Sequence, residues 1–239
     1  MHFPSLESTN DYALAMIEEG EVAEGTVIST DEQTRGRGQM GSRWMSEGGK
    51  NITLSVVLRP RFLTANRHFL LNQMSSLAIL DAVGGLLESP LRVKWPNDIY
   101  AGSRKLAGIL IQTSISGHFL QYATIGMGIN VNQIEFPGGL PNPTSLRLER
   151  GEPMERQALM RSLLSALERR YLDLRAGHYG ALSKAYADKL YRKDEMIRFE
   201  RRDGSPFEGR ILGVGPGGKL EVATPDAIEE FDIKEIAYK

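Results

Sequence analysis

Apolar and polar positions along the 239 residues follow two rhythms, a period of two in short runs and a period near 3.6 in longer ones. Residues 2–7 read as a short strand. Ser8, Thr9 and Asn10 then offer N-cap side chains to a helix carrying Ala13, Leu14, Met16 and Ile17, which Gly20 ends. Residues 25–30 read as a buried strand, and residues 51–58 as an alternating one that stops at Arg59-Pro60. Phe69, Leu70, Met74, Leu77, Ala78 and Leu80 fall at helical spacing within 64–88, a helix weakened at Gly84-Gly85. A strand over 91–95 runs into Pro96-Asn97-Asp98. Residues 99–101 and 105–115 form a hairpin about Gly102-Ser103, and Ser116-Gly117-His118 turns the chain back along 119–132. Residues 133–152 are a Pro/Gly-rich loop. Pro153 opens a long helix to about Arg175, and a second helix covers 179–191.

After Lys193 the rhythm changes to four or five short strands. Turns fall at Asp203-Gly204, Gly215-Pro216-Gly217-Gly218 and Thr224-Pro225-Asp226, the size and spacing of a small barrel. The expected fold class is α+β: residues 1–192 with a mixed central sheet and helices on a face, and residues 193–239 as a separate small β-barrel.

Composition narrows the function. Hydrophobic residues make 41% and charged residues 25% of the chain, ordinary for a folded protein. Lys and Arg total 29 against 30 Asp and Glu, which argues against broad DNA or membrane binding. Cysteine is absent, excluding disulfides, thiolate metal sites and a cysteine nucleophile. No segment approaches about 20 apolar residues, and the start lacks a basic-then-apolar signal, so the expected location is the cytoplasm. The four histidines are scattered, with no metal spacing, and Gly-x-Ser-x-Gly is missing.

Four segments carry candidate chemistry. In Gln33-Thr-Arg-Gly-Arg-Gly-Gln-Met-Gly-Ser-Arg-Trp44, glycines let backbone amides approach a ligand, while Arg35, Arg37 and Arg43 can grip phosphate or carboxylate. Its Gly36-x-Gly38-x-x-Gly41 is neither a dinucleotide fingerprint, since a strand follows it, nor a P-loop. A flexible, solvated basic loop would look the same. In Lys94-Trp95-Pro96-Asn97-Asp98, a rigid turn presents a cation beside oxygen ligands suited to Mg²⁺ or an amine; the plainer alternative is a capped turn with a Trp plug. Lys105-Leu-Ala-Gly-Ile-Leu110 opens an apolar strand with a lysine that must meet an anion if it turns inward, or snorkel if it does not; Gly108 leaves room on the sheet. Gly126-Met-Gly-Ile-Asn130 again suggests close approach of a ligand to a strand, or else a bulge.

Taken together, Ser8-Thr9-Asn10, Gly36–Gly41 with Trp44, Lys94–Asp98, Lys105–Leu110 and Gly126–Asn130 resemble the biotin protein ligases in order and spacing. The resemblance covers the whole chain and implies a class II synthetase-like catalytic domain followed by a small SH3-like barrel. It points to the type without an N-terminal DNA-binding domain, and hence to no DNA partner and no membrane. It implies that biotin, ATP and Mg²⁺ form biotinyl-5′-AMP, which biotinylates a lysine of a biotin carboxyl carrier protein. Relatives that pair through their sheets leave a homodimer open.

Residue by residue, the resemblance implies that Ser8, Thr9, Asn10 and Gln33 meet the biotin ring. Gly36, Arg37, Gly38, Gln39, Lys105, Gly108 and Gly126 line the rest of the biotin site. Arg37, Trp44, Lys94, Asn97 and Asn130 meet the nucleotide. Lys105, Arg37, Lys94 and Asp98 carry the catalysis, with Asn97 and Asp98 nearest any Mg²⁺ that arrives with ATP. Gln39 departs from the pattern, because the best-known members have arginine there. That substitution removes one phosphate contact and implies looser retention of the intermediate. The rivals are a lipoate ligase of the same fold and a noncatalytic biotin-binding module.

Overall fold

The computed structural model describes residues 1–20 and 22–239. A seven-stranded sheet is built from β1 (His2–Leu6), β2 (Val27–Gln33), β3 (Ile52–Leu58), β4 (Leu91–Lys94), β5 (Asp98–Ala101), β6 (Arg104–Ser116) and β7 (Phe119–Ile129). Its order is β1-β2-β3-β7-β6-β5-β4, parallel between β1 and β2 and antiparallel elsewhere. The predicted hairpins at Gly102 and Gly117 are both present, each glycine at positive φ.

Helix α1 (Thr9–Glu18) lies against β2, β3 and β7. Helix α2 (Phe69–Val83) packs on the strands β4 to β6, and α4 (Arg156–Arg175) and α5 (Tyr179–Ala187) close over α2; α3 (Leu146–Arg150) is a single short turn of helix. Every residue of α2 except Asp81 is buried. A helix enclosed by a sheet and two further helices has no solvent face, so even its polar residues are buried and paired, Ser75 donating to the Leu71 carbonyl and Gln73 accepting from Ser183. The same reason corrects the reading of β3. Its seven residues are all buried, instead of alternating between core and water, because helices or the site cover both faces.

Other boundaries moved for local reasons. The helix expected over 64–88 begins at Phe69 after a 3₁₀ turn at Ala65–Arg67 and ends at Gly84. The fourth helix begins at Arg156, not Pro153, because Glu155 accepts from the amides of Gln157 and Ala158 and caps it there. The short α3 stands inside the segment expected to be all loop, capped by the Ser145 side chain.

The C-terminal residues form five strands, β8 (Met196–Arg201), β9 (Pro206–Val214), β10 (Leu220–Ala223), β11 (Ile228–Phe231) and β12 (Ile236–Tyr238). Their order is β11-β10-β9-β8-β12, all antiparallel. Among the described residues β11 and β12 do not pair, so the strands make an open sheet and not the closed barrel expected. Trp95 fixes this sheet to the first: buried, it donates from Nε1 to the carbonyl of Gly218 at 2.9 Å. Among the described residues no helix is long and apolar enough to cross a membrane.

Candidate active site

A cleft of 380 Å³ opens on the sheet face that carries α1. Its floor is made by β3, β6 and β7, where Gly108 lies opposite Gly128 and Leu110 opposite Gly126. One end is the N-terminus of α1. The rim is the glycine-rich loop after β2 and the β4–β5 turn, and the last wall is the C-terminal sheet, through Ile233, Lys234, Ile236, Ala237 and Tyr238.

The α1 end is a polar socket. Ser8 caps the helix by accepting from the amide of Asp11 at 3.3 Å, which leaves its hydroxyl proton unused. Gln33, at the end of β2, accepts at Oε1 from both the amide and the hydroxyl of Thr9, at 2.8 and 3.1 Å. Asn10 donates from Nδ2 to the Leu110 carbonyl at 3.2 Å and to Gln112 Oε1 at 3.0 Å. Ser55, fully buried on β3, has Oγ at 2.7 Å from Thr9 Oγ1 and 2.6 Å from Asn10 Oδ1. Buried polar groups are costly unless paired, so a network this complete fixes each side chain in place.

The glycine floor is required by close approach. A Cβ on Gly126 would stand 2.4 Å from Asn10 Oδ1, and one on Gly128 would stand 2.3 Å from the Trp44 indole. Trp44 therefore lies flat against β6 and β7, with Nε1 buried and making no hydrogen bond.

The other end of the cleft is cationic. Lys105 pairs with Asp98 at 2.7 Å, their side chains 27% and 22% exposed, so the inward lysine does meet an anion. Lys94 sits between two tyrosines, its ammonium 5.0 Å from the Tyr100 ring and 4.8 Å from the Tyr238 ring. Burial lowers the Lys94 pKa, the Asp98 charge opposes that shift, and Lys105 adds to it. Burial also raises the Tyr100 hydroxyl to about 12, helped by Asp98. Arg37 forms a close ion pair with Asp11 at the half-exposed mouth. Among the described residues the lining thus holds Arg37, Arg43, Lys94, Lys105 and Lys234 against the single carboxylate of Asp98. Such a surface attracts two anions at once and offsets their mutual repulsion.

Residues 2–130 match the profile of the biotin/lipoate A/B protein ligase family, more than half of the chain. The chain belongs to that family. Among curated relatives of this ligase family, the bifunctional ligase/repressor BirA of Bacillus spizizenii is 30% identical over 211 residues, 87% of this chain and 64% of that protein. This chain therefore spans less than two thirds of that relative's length. The biotin–[acetyl-CoA-carboxylase] ligase of Mycobacterium tuberculosis is 30% identical over 217 residues, 89% of this chain and 79% of that one. The fold also matches the biotin protein ligase of Aquifex aeolicus, solved in complex with biotin and ATP, with a TM-score of 0.83. That likeness, at 23% identity, covers 100% of this chain and 97% of the other.

Of the residues that the ligase resemblance singled out, Ser8, Thr9, Asn10, Gln33, Arg37, Gly38, Gln39, Trp44, Lys94, Asn97, Asp98, Lys105, Gly108 and Gly126 all line this one cleft. Two do not. Gly36 is buried behind Gln33 and Trp44, its carbonyl accepting from the Trp44 amide. Asn130 is buried beneath, donating to the Thr144 carbonyl at 2.9 Å, and ties the end of β7 to the segment before α3. Sequence reasoning missed Asp11, Ser55 and Gln112, and named no residue of the C-terminal wall, where no motif stands out. Asp11 carried one usable signal, an acidic residue in a first helical turn. Ser55 carried none.

Proposed function

We propose that this protein joins biotin to a lysine of a biotin carboxyl carrier protein, using ATP and passing through biotinyl-5′-AMP. The observation that carries this reading is the layout of the cleft. A hydrogen-bonding socket at Ser8, Thr9, Asn10 and Gln33 suits a polar ring, a cationic end at Lys94 and Lys105 suits a carboxylate beside a triphosphate, and Arg37, paired with Asp11 of α1, stands at the mouth. A biotin carboxylate oxygen attacks the α-phosphorus, the bond to the bridging oxygen breaks, and pyrophosphate leaves. Lys105 neutralises charge that gathers on the α-phosphate, and Lys94 holds the departing phosphates. The amine of the carrier lysine then attacks the mixed anhydride and releases AMP. Asp98, beside Lys105, is the carboxylate nearest the incoming amine.

A divalent cation would enter with the nucleotide. Among the described residues Asp98 is the one carboxylate in the lining and is already paired, so the phosphates would supply most of the donors to Mg²⁺. We read residues 193–239 as a separate unit, the counterpart of the family's SH3-like barrel, that forms one wall of the site.

The deciding experiment is mass spectrometry of a carrier domain after incubation with the protein, MgATP, and either biotin or lipoate. One biotinyl group on one lysine is expected, with no lipoyl transfer. Lipoyl transfer alone would overturn the choice of acid, and no adduct with either would overturn the enzyme reading. Gln39 adds a second expectation. With a neutral amide in the lining, some adenylate should escape and label lysines of a bystander such as serum albumin, and Gln39→Arg should suppress that labelling several-fold. Unmodified albumin in the presence of the native protein would rule this out.

A further inference from the structure

The C-terminal sheet reaches across the cleft to the glycine-rich loop. Lys234, in the turn between β11 and β12, donates from Nζ to the carbonyl of Met40 at 2.7 Å. This is the one hydrogen bond among the described residues that joins that sheet to residues 36–44. Met40 stands at the crest of the loop with φ 49° and ψ 47°, a left-handed conformation that a methionine holds only when its surroundings impose it. Below the crest the loop is pinched: the amide of Gly38 donates to the Ser42 carbonyl at 2.7 Å, and that of Ser42 to the Gln39 carbonyl at 3.1 Å. These bonds hold the crest together as one turn.

Among the described residues Lys234 forms no ion pair, and the loop between Glu32 and Glu47 carries no carboxylate to offer it. A backbone oxygen is the acceptor available there. The sheet that carries Lys234 is held independently of the loop, through Trp95 and the Gly218 carbonyl. It is a fixed post against which the loop can be tied.

We propose that Lys234 is a positioning residue for the ligation: it ties the crest of the glycine-rich loop to the C-terminal sheet and keeps the loop across the cleft while the activated acid is inside. The proposal rests on the reading of the cleft as an adenylate site. The loop carries Arg37, Gly38 and Gln39 into the lining, so a loop that swings away takes with it one of the groups facing the acyl phosphate. A lysine is suited to this task because its long stem spans the gap while its ammonium keeps donors for solvent.

The test compares Lys234→Met, which keeps the stem and removes the donor, with Lys234→Arg, which keeps a donor. The first measurement is amide hydrogen exchange, by mass spectrometry, of the intact protein without ligand. Lys234→Met should speed exchange in residues 36–44 about five-fold, the loss of one hydrogen bond. Lys234→Arg should match the native protein, and the strands of the C-terminal sheet should exchange unchanged in both. The second measurement is release of biotinyl adenylate formed from biotin and MgATP, expected about five-fold faster in Lys234→Met only. Loop exchange that is the same in all three proteins overturns the proposal. So does a rise that Lys234→Arg shares, or one that spreads through the C-terminal sheet, since either would report packing and not a tie. If the native protein forms no adenylate, the functional reading fails, while the exchange measurement still decides the tie.

Discussion

Lys105→Ala should lower the rate of adenylate formation by at least about 100-fold while leaving much of the biotin affinity in place. The expectation follows from what the lysine faces. Its ammonium lies 2.7 Å from Asp98 in a partly closed cleft, where it offsets one fixed negative charge and faces two more when the acid and the nucleotide enter. Removing it subtracts a cation and also exposes the carboxylate to the reacting anions. Two like charges at 4 Å repel by about 1 kcal/mol in water and about 4 kcal/mol at the effective dielectric of a protein surface. The polar socket lies at the opposite end of the cleft and does not depend on Lys105, so binding of the ring should persist. Pre-steady-state release of pyrophosphate measures the rate, and calorimetry with biotin measures the binding. A double variant, Lys105→Ala with Asp98→Asn, should recover part of the loss, because it deletes the unopposed carboxylate. A single variant within about ten-fold of the native rate would remove Lys105 from the chemistry.

Gly126→Ala should abolish measurable biotin binding without unfolding the sheet. The new methyl would stand 2.4 Å from Asn10 Oδ1 and 3.0 Å from its Cγ, closer than atoms can pack. Asn10 cannot yield cheaply, because it is held by Ser55, Gln112 and the Leu110 carbonyl. Each buried group left unpaired costs about 1–3 kcal/mol, and two of them are enough for a loss of affinity of at least about 30-fold. Strand β7 keeps its ladders to β3 and β6, since alanine suits a strand backbone. Calorimetry with biotin and the thermal midpoint separate the two effects. Adding Asn10→Ala should relieve the clash and restore the midpoint, yet leave binding weak, because the socket has lost its amide. Native affinity in Gly126→Ala would show that Asn10 is not part of the socket.

Much of the site was legible because its residues travel in short motifs. The glycine-rich loop, the Lys94–Asp98 turn and the Lys105–Leu110 strand each stand out by residue type, although the loop and the Lys105 strand, taken singly, also fit a solvated loop and a snorkelling lysine. The fold converges them because β6 and β7 are hairpin neighbours, and hairpins are local enough to read from Gly102 and Gly117. What was not legible depends on distant pairing. Ser55 is one of seven buried residues in β3, and nothing near it in sequence says that it stands beside Asn10. Asn130 belongs to a motif by spacing, but the chain folds it under the sheet end, where it serves the backbone of Thr144. The C-terminal strands gave their number and turns, yet their share of the cleft could not be read, because Lys234 and Tyr238 act through contacts with residues more than a hundred positions away.

Trp95 stands between Lys94 and Asn97 in a single turn, and its indole is bolted to the C-terminal sheet. The turn that brings Lys94 into the cleft is therefore also the mounting bracket of a second layer. A flaw introduced deep in that layer, at Leu220 or Phe231 for instance, would surface first as a fault in handling the nucleotide, well before the protein lost its shape. Selection for turnover alone would then police the packing of the sheet behind the cleft wall.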